Sequence, residues 1–114
     1  CAVSGVRRLE LLRASHIKPW ACCNNEERLD PSNGILLSPV YDAAFDASLI
    51  AFAEDGTILL ASDFSADEAA VAGIDRKAQI KLSDEKMQSY LFEHRTLMSA
   101  RCSRSAELGS LIDP

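Results

Sequence analysis

His16 and His94 are the two histidines of a 114-residue chain. His16 is the better placed for chemistry. It follows a predicted strand and opens a connection rich in Pro and Asn, and reactive groups sit on such loops more readily than in mid-helix. Across that connection come Asn33 and then Asp42, four residues into a predicted helix. An imidazole with an ordinary pKa of about 6.5 can take a proton from water. A carboxylate can hold a hard divalent cation, and the cation stabilises negative charge on a phosphate. An Asn can lend its carbonyl oxygen as a ligand or tie down a loop. By spacing alone the trio is a weak signal, because a lone His in a short domain is more commonly a packing or surface residue.

The elements that must position these residues can be read from turn chemistry and periodicity. Val6 to Ala14 mixes apolar and basic residues and predicts a short strand, with the Leu9/Leu12 spacing leaving a helical turn open. Residues 17 to 34 form a polar connection broken by Pro19, Asn24-Asn25, Pro31 and Asn33-Gly34, with Gly34 expected to relieve a tight turn. Ile35-Leu36-Leu37 predicts a buried strand. Ser38-Pro39 fits a helix start, with Val40, Ala44 and Phe45 as its inner face. Leu49–Phe52 and Thr57–Leu60 flank Glu54-Asp55-Gly56 as a β-hairpin. Ser65 predicts the cap of a helix over Ala66–Ala72, with Glu68 at the capping-box position. Lys77–Leu82 alternates as a strand would. Ser83 predicts the cap of a last helix from about Asp84 to Leu97, and the final dozen residues a fraying tail. The fold class expected is α+β, one small mixed domain.

Longer strings carry more than the trio does. Ala14-Ser15-His16-Ile17-Lys18-Pro19-Trp20, then Asn25 to Asp30, Asn33-Gly34-Ile35-Leu36-Leu37-Ser38-Pro39, and Asp42-Ala43-Ala44-Phe45-Asp46 together resemble the HNH endonuclease family. More narrowly, they resemble a subgroup with an ASHIKPW…NG…DxxFD core. Cys1 to Gly5 resembles that subgroup's opening, and Tyr90 to Arg95 one of its later elements, so the likeness covers residues 1–98 as a nuclease domain and leaves 99–114 as a C-terminal tail. The resemblance implies a ββα-metal finger, followed here by the β-hairpin and C-terminal helix. It implies that His16 activates water for attack on a DNA phosphodiester, leaving a 5′ phosphate. It implies that Asn33 is a catalytic residue that orders the loop and approaches the metal. Asp42 sits where the helix-borne metal ligand is expected, and a carboxylate there favours Mg2+ or Mn2+. The residue before His16 is often a further ligand in the wider family; here it is Ser15.

Composition sets the outer limits. With 47% hydrophobic and 25% charged residues the chain is an ordered domain with one core. No apolar run approaches the ~18 residues of a membrane span, so no membrane partner is expected. The net charge is −5, with no Lys or Arg between residues 31 and 70, which argues against strong autonomous DNA binding. Target choice would then come from an N-terminal recognition domain, a partner or a homodimer. The chain opens at Cys1 without a Met, which leaves room for such a domain in a larger restriction or defence protein. Arg13, Lys18 and Arg28 could contact DNA phosphates; a solvated face accounts for them equally, as does an Arg28–Asp30 pair. Trp20 is expected as a lid over the core and His94 as a packed, hydrogen-bonded residue. Cys1, Cys22, Cys23 and Cys102 lack zinc-knuckle spacing, which favours a reduced set and a cytoplasmic setting. The rival reading is a catalytically inactive HNH-fold domain that binds nucleic acid or protein.

Overall fold

A computed structural model of the chain describes residues 1–82 and 84–112, and side chains as far as Arg101. Strand β1 (Arg13–His16) pairs antiparallel with β2 (Gly34–Leu37), and the connection between them carries helix α1 (Asn25–Leu29). Helix α2 (Pro39–Asp46) follows, then the hairpin of β3 (Ile50–Phe52) and β4 (Ile58–Leu60), the short α3 (Ala66–Val71) and the long α4 (Glu85–Ile112). The result is a mixed α/β domain with two antiparallel two-stranded sheets and helices packed on them. No helix among the described residues is long and apolar enough to cross a membrane.

Local chemistry explains most boundaries. Pro39 occupies the first turn of α2, where its missing N–H costs nothing. Asn24 caps α1 in a full capping box: its side chain accepts from the Glu27 N–H, and the Glu27 carboxylate accepts from the Asn24 N–H. Ser65 caps α3 by accepting from the Glu68 N–H. At the tip of the β3–β4 hairpin Gly56 has φ +87°, and a Cβ there would stand 2.3 Å from the Ile80 carbonyl oxygen, so only glycine fits.

Several expectations change. Residues 9–11 form a single 3₁₀ turn ahead of β1. Gly34 has an ordinary negative φ, and a Cβ there would meet only the Pro31 carbonyl oxygen at 3.5 Å, so it relieves no turn strain. The inner face of α2 is Tyr41, Ala44 and Phe45, while Val40 is 40% exposed. Tyr41 turns inward because its hydroxyl accepts from the Asp75 N–H at 2.9 Å while its ring joins the core. Segment 77–82 buries Ala78 and Ile80 but makes a single bridge, Thr57 to Gln79, instead of a strand. The expected cap at Ser83 lies outside the described residues; the Asp84 carboxylate accepts from the Met87 N–H at 2.8 Å. Helix α4 continues to Ile112, well past Leu97 and through the segment expected to fray, since no proline interrupts the chain before Pro114.

The core gathers Ile17, Ile35, Leu37, Phe45, Ile50, Phe52, Met87 and Leu91 from nearly every element. Helix α4 is fastened across it by polar contacts as well as packing. The Tyr90 hydroxyl donates to Asp30 at 2.8 Å, Arg95 donates to the Phe52 carbonyl at 2.7 Å, and Arg101 forms a two-pronged pair with Asp63. The bond to Asp30 pushes the Tyr90 pKa up to about 12. His94 is 3% exposed; its ring stacks on Phe45 at 3.8 Å and its Nε2–H donates to the Phe45 carbonyl at 2.7 Å. The packed histidine expected from the sequence is what the fold contains.

Burial holds the His94 pKa below its ordinary value, against the opposing pull of the Phe45 carbonyl and Asp46. The unfolded chain therefore takes up a proton at a pH where the native state does not, and stability falls as pH drops below about 6.5. The lowered carboxylates Glu27, Asp30, Asp63 and Asp84 lose their contribution only at more acid pH. Urea midpoints followed from about pH 7 to about pH 5 should decline in the native chain and stay nearly level in His94→Gln. An equal decline in both proteins would remove His94 as its source.

Candidate functional site

The β1–β2 register decides what each side chain near His16 faces. Arg13 pairs with Leu37 and Ser15 with Ile35, so these share one face of the hairpin. Leu37 and Ile35 are core residues, and Ser15 is buried beside them. Alternation then turns His16 and Ala14 to the opposite face, with Gly34 opposite His16. Having no side chain, Gly34 leaves the imidazole uncovered from across the strand, and His16 is half-buried.

The His16 ring is fixed from two sides. Its Nε2 lies 3.0 Å from the Arg28 carbonyl oxygen. A carbonyl only accepts, so Nε2 is the donor in this contact, and in the neutral ring the lone pair then lies on Nδ1. The Trp20 indole meets the ring edge-on, with centroids 5.1 Å apart. Trp20 is 55% exposed and is not the core lid that the sequence suggested, because the Arg28 guanidinium covers one face at 4.4 Å. Arg28 also donates from Nε and Nη2 to the Trp20 carbonyl, both at 3.2 Å. It is therefore engaged with Trp20 and not with Asp30, whose partners are the Ser32 N–H, Tyr90 and the distant Lys86 ammonium.

Asn33 is fully buried, and each polar atom of its amide is used. Oδ1 accepts from the Lys18 N–H at 2.8 Å, while Nδ2 donates to the Glu27 carbonyl at 3.0 Å and to the Cys23 thiol at 3.4 Å. The residue expected to approach a metal is instead a tie across the connection, because its oxygen is turned to backbone and closed off from solvent. Its own backbone carbonyl accepts from the Ile17 N–H at 2.9 Å, which continues the β1–β2 ladder past His16.

Lys18 points its ammonium at Glu27, 2.7 Å away, and at Glu93, 3.5 Å away. The Glu27 hydrogen bond raises the Lys18 pKa and its counterpart lowers that of Glu27, so the pair stays charged. Of the three basic residues expected to meet phosphate, only Arg13 is exposed; its guanidinium donates to the neighbouring Leu12 carbonyl. Asp42 is half-buried in α2, and its carboxylate makes no hydrogen bond or ion pair with the described residues.

A divalent cation, the cofactor expected with such a histidine, meets a sparse donor set. The Asp42 carboxylate suits a hard cation and is uncommitted. Asn33 does not fit, for the reasons above, and Ser15 is buried on the hairpin face opposite His16. Among the described residues no group of three or more His, Cys, Asp or Glu could hold a metal ion. Cys1, Cys22 and Cys23 carry free thiols.

Two features of the site went unread in the sequence. Glu27 serves the α1 capping box, the Lys18 pair and, through its carbonyl, Asn33. The Asn24-x-x-Glu27 spacing was a legible signal for the first of these. The Trp20–Arg28 contact had no such signal, since stacking partners eight residues apart obey no fixed period. Replacing Asn33 with Ala strands the Lys18 N–H and leaves the Glu27 carbonyl with only the Asp30 N–H at 3.3 Å, and should cost roughly 1–3 kcal/mol of stability. Urea unfolding is the measurement, and a loss below about 1 kcal/mol would show that the connection holds without the tie.

A comparison with curated proteins finds no match for the chain. Against family models, residues 1–53, less than half of the chain, match HNH_2, the HNH endonuclease family; the matched span includes His16, Asn33 and Asp42, and it leaves β4, α3 and α4 outside.

Proposed function

We propose that this chain is a metal-dependent endonuclease domain that hydrolyses DNA phosphodiester bonds. The observation carrying the reading is the state of His16 inside the matched HNH segment: its Nε2–H is committed to the Arg28 carbonyl, which leaves the Nδ1 lone pair as the ring's only proton acceptor. In this reading His16 takes the proton from an attacking water through Nδ1. The Arg28 carbonyl then stabilises the imidazolium, because the Nε2–H donor is stronger when the ring is charged. Asn33 acts by holding the connection that places His16, and not as a ligand. Asp42, whose carboxylate has no partner among the described residues, is offered to a divalent cation, Mg2+ or Mn2+ by its hard oxygen donor, with water and phosphate oxygens completing the shell. Such a cation would supply stabilisation of the negative charge on the phosphate.

Arg13 is the most exposed of the three basic candidates; using it on phosphate would give up only the bond to the Leu12 carbonyl, although the strand register sets it on the face opposite His16. Lys18 and Arg28 would have to leave Glu27 and Trp20 to serve DNA. With a net charge of −5, intrinsic DNA affinity is low, and target choice falls to another domain, a partner or a second copy. A catalytically inactive HNH-like scaffold is the second reading. The scarcity of metal donors among the described residues favours it.

A plasmid-nicking assay separates the two. Cutting should require Mg2+ or Mn2+, stop with chelator, and fall by about 10²- to 10⁴-fold in His16→Ala with the fold intact. Asp42→Asn should raise the metal concentration needed. Equal cutting by the native chain and His16→Ala would overturn His16 as the base, and no cutting under any metal would favour the inactive scaffold.

A further inference from the structure

The expected role of Arg28, a phosphate contact, does not account for its geometry. Its carbonyl lies in the last turn of α1, a five-residue helix, where the C-cap N–H of Asp30 goes to the Glu27 carbonyl and not to that of Arg28. Such a group normally turns to water. Here it is aimed at His16 Nε2, 3.0 Å away, and the Arg28 side chain is doubly fastened to Trp20. Nε and Nη2 both reach the Trp20 carbonyl at 3.2 Å, and the guanidinium lies 4.4 Å from the centre of the indole ring. The same indole meets the His16 ring at an interplanar angle of 71°. The three residues close a triangle: Arg28 backbone to His16, Arg28 side chain to Trp20, Trp20 ring back to His16.

From this we infer that Arg28 and Trp20 are positioning residues for His16, with the Arg28 side chain fixing its own carbonyl so that the imidazole is held as the Nε2–H tautomer with Nδ1 outward. A planar guanidinium suits the task because it donates twice in one direction while lying flat on a ring; an ammonium cannot do both. Trp20 supplies the platform and the edge that stops the imidazole from rotating. Its exposure follows from this, since the brace must stand outside the core, on the His16 face of the hairpin. The tautomer claim stands on this geometry alone. Only its consequence for cutting rests on the nuclease reading.

The test is imidazole NMR, through long-range proton–nitrogen correlations of His16, in the native chain, Arg28→Ala, Arg28→Lys, Trp20→Ala and Trp20→Phe. The His94 signals and circular dichroism serve as the check on folding. The native ring should show a single Nε2–H tautomer with an unprotonated Nδ1. Arg28→Ala and Trp20→Ala should show mixed tautomers or exchange broadening, Trp20→Phe should retain most of the native pattern, and Arg28→Lys should not. In nicking assays Arg28→Ala should then lower kcat by about 10- to 100-fold, the loss typical of outer groups that orient a working histidine, with KM for DNA little changed. A native His16 spectrum in folded Arg28→Ala overturns the inference even if cutting is lost. A raised KM and shallower salt dependence with unchanged kcat would make Arg28 a phosphate contact instead. If no variant cuts DNA, the spectra still decide the tautomer, so this inference and the nuclease reading fail separately.

Discussion

A buried amide must have its hydrogen bonds met, and at Asn33 the chain meets them with two backbone groups and a thiol. Three separate points of the connection, Lys18, Cys23 and Glu27, converge on one side chain with no exposure to water. Leaving such a group unpaired costs about 1–3 kcal/mol per donor or acceptor, which is comparable with a good part of a small domain's stability. The constraint acts at a distance. By holding Glu27 it holds α1, and by holding α1 it sets where the Arg28 carbonyl can point. The Arg28 carbonyl that meets His16 Nε2 is the next along the chain from the Glu27 carbonyl that the amide holds.

The second half of the chain works as a clamp on the first. Helix α4 reaches the connection through Tyr90 and Asp30, α2 through His94 and Phe45, and the hairpin through Arg95 and Phe52. Because His94 is stacked and buried it pays in acid sensitivity for the fit, whereas the surface pairs add little on their own. Lys18 joins the two halves by pairing with Glu27 of α1 and Glu93 of α4. A cation that looked available for phosphate is instead spent inside the domain. Residues 31–70 add no Lys or Arg to the domain.

What the amino-acid string determined about this protein is mostly local. The helix start at Ser38-Pro39, the Asp55-Gly56 hairpin tip and the Ser65–Glu68 cap each follow from the backbone preferences of one or two residues and stand where expected, although the Ser38 side chain makes no capping bond. His94 was legible as packed because it shares a helical face with Leu91 and Met87. The tertiary structure decided matters that depend on partners far along the chain. Tyr41 displaced Val40 from the core because its hydroxyl accepts from the Asp75 N–H, and the 77–82 segment stopped at one bridge instead of pairing as a strand. Asn33, Lys18 and Arg28 were visible as candidates, but whether each faced a metal, a phosphate or its own fold depended on which groups folding set against it. Spacing fixes a residue's place in an element; only assembly fixes which donors and acceptors are left over for chemistry.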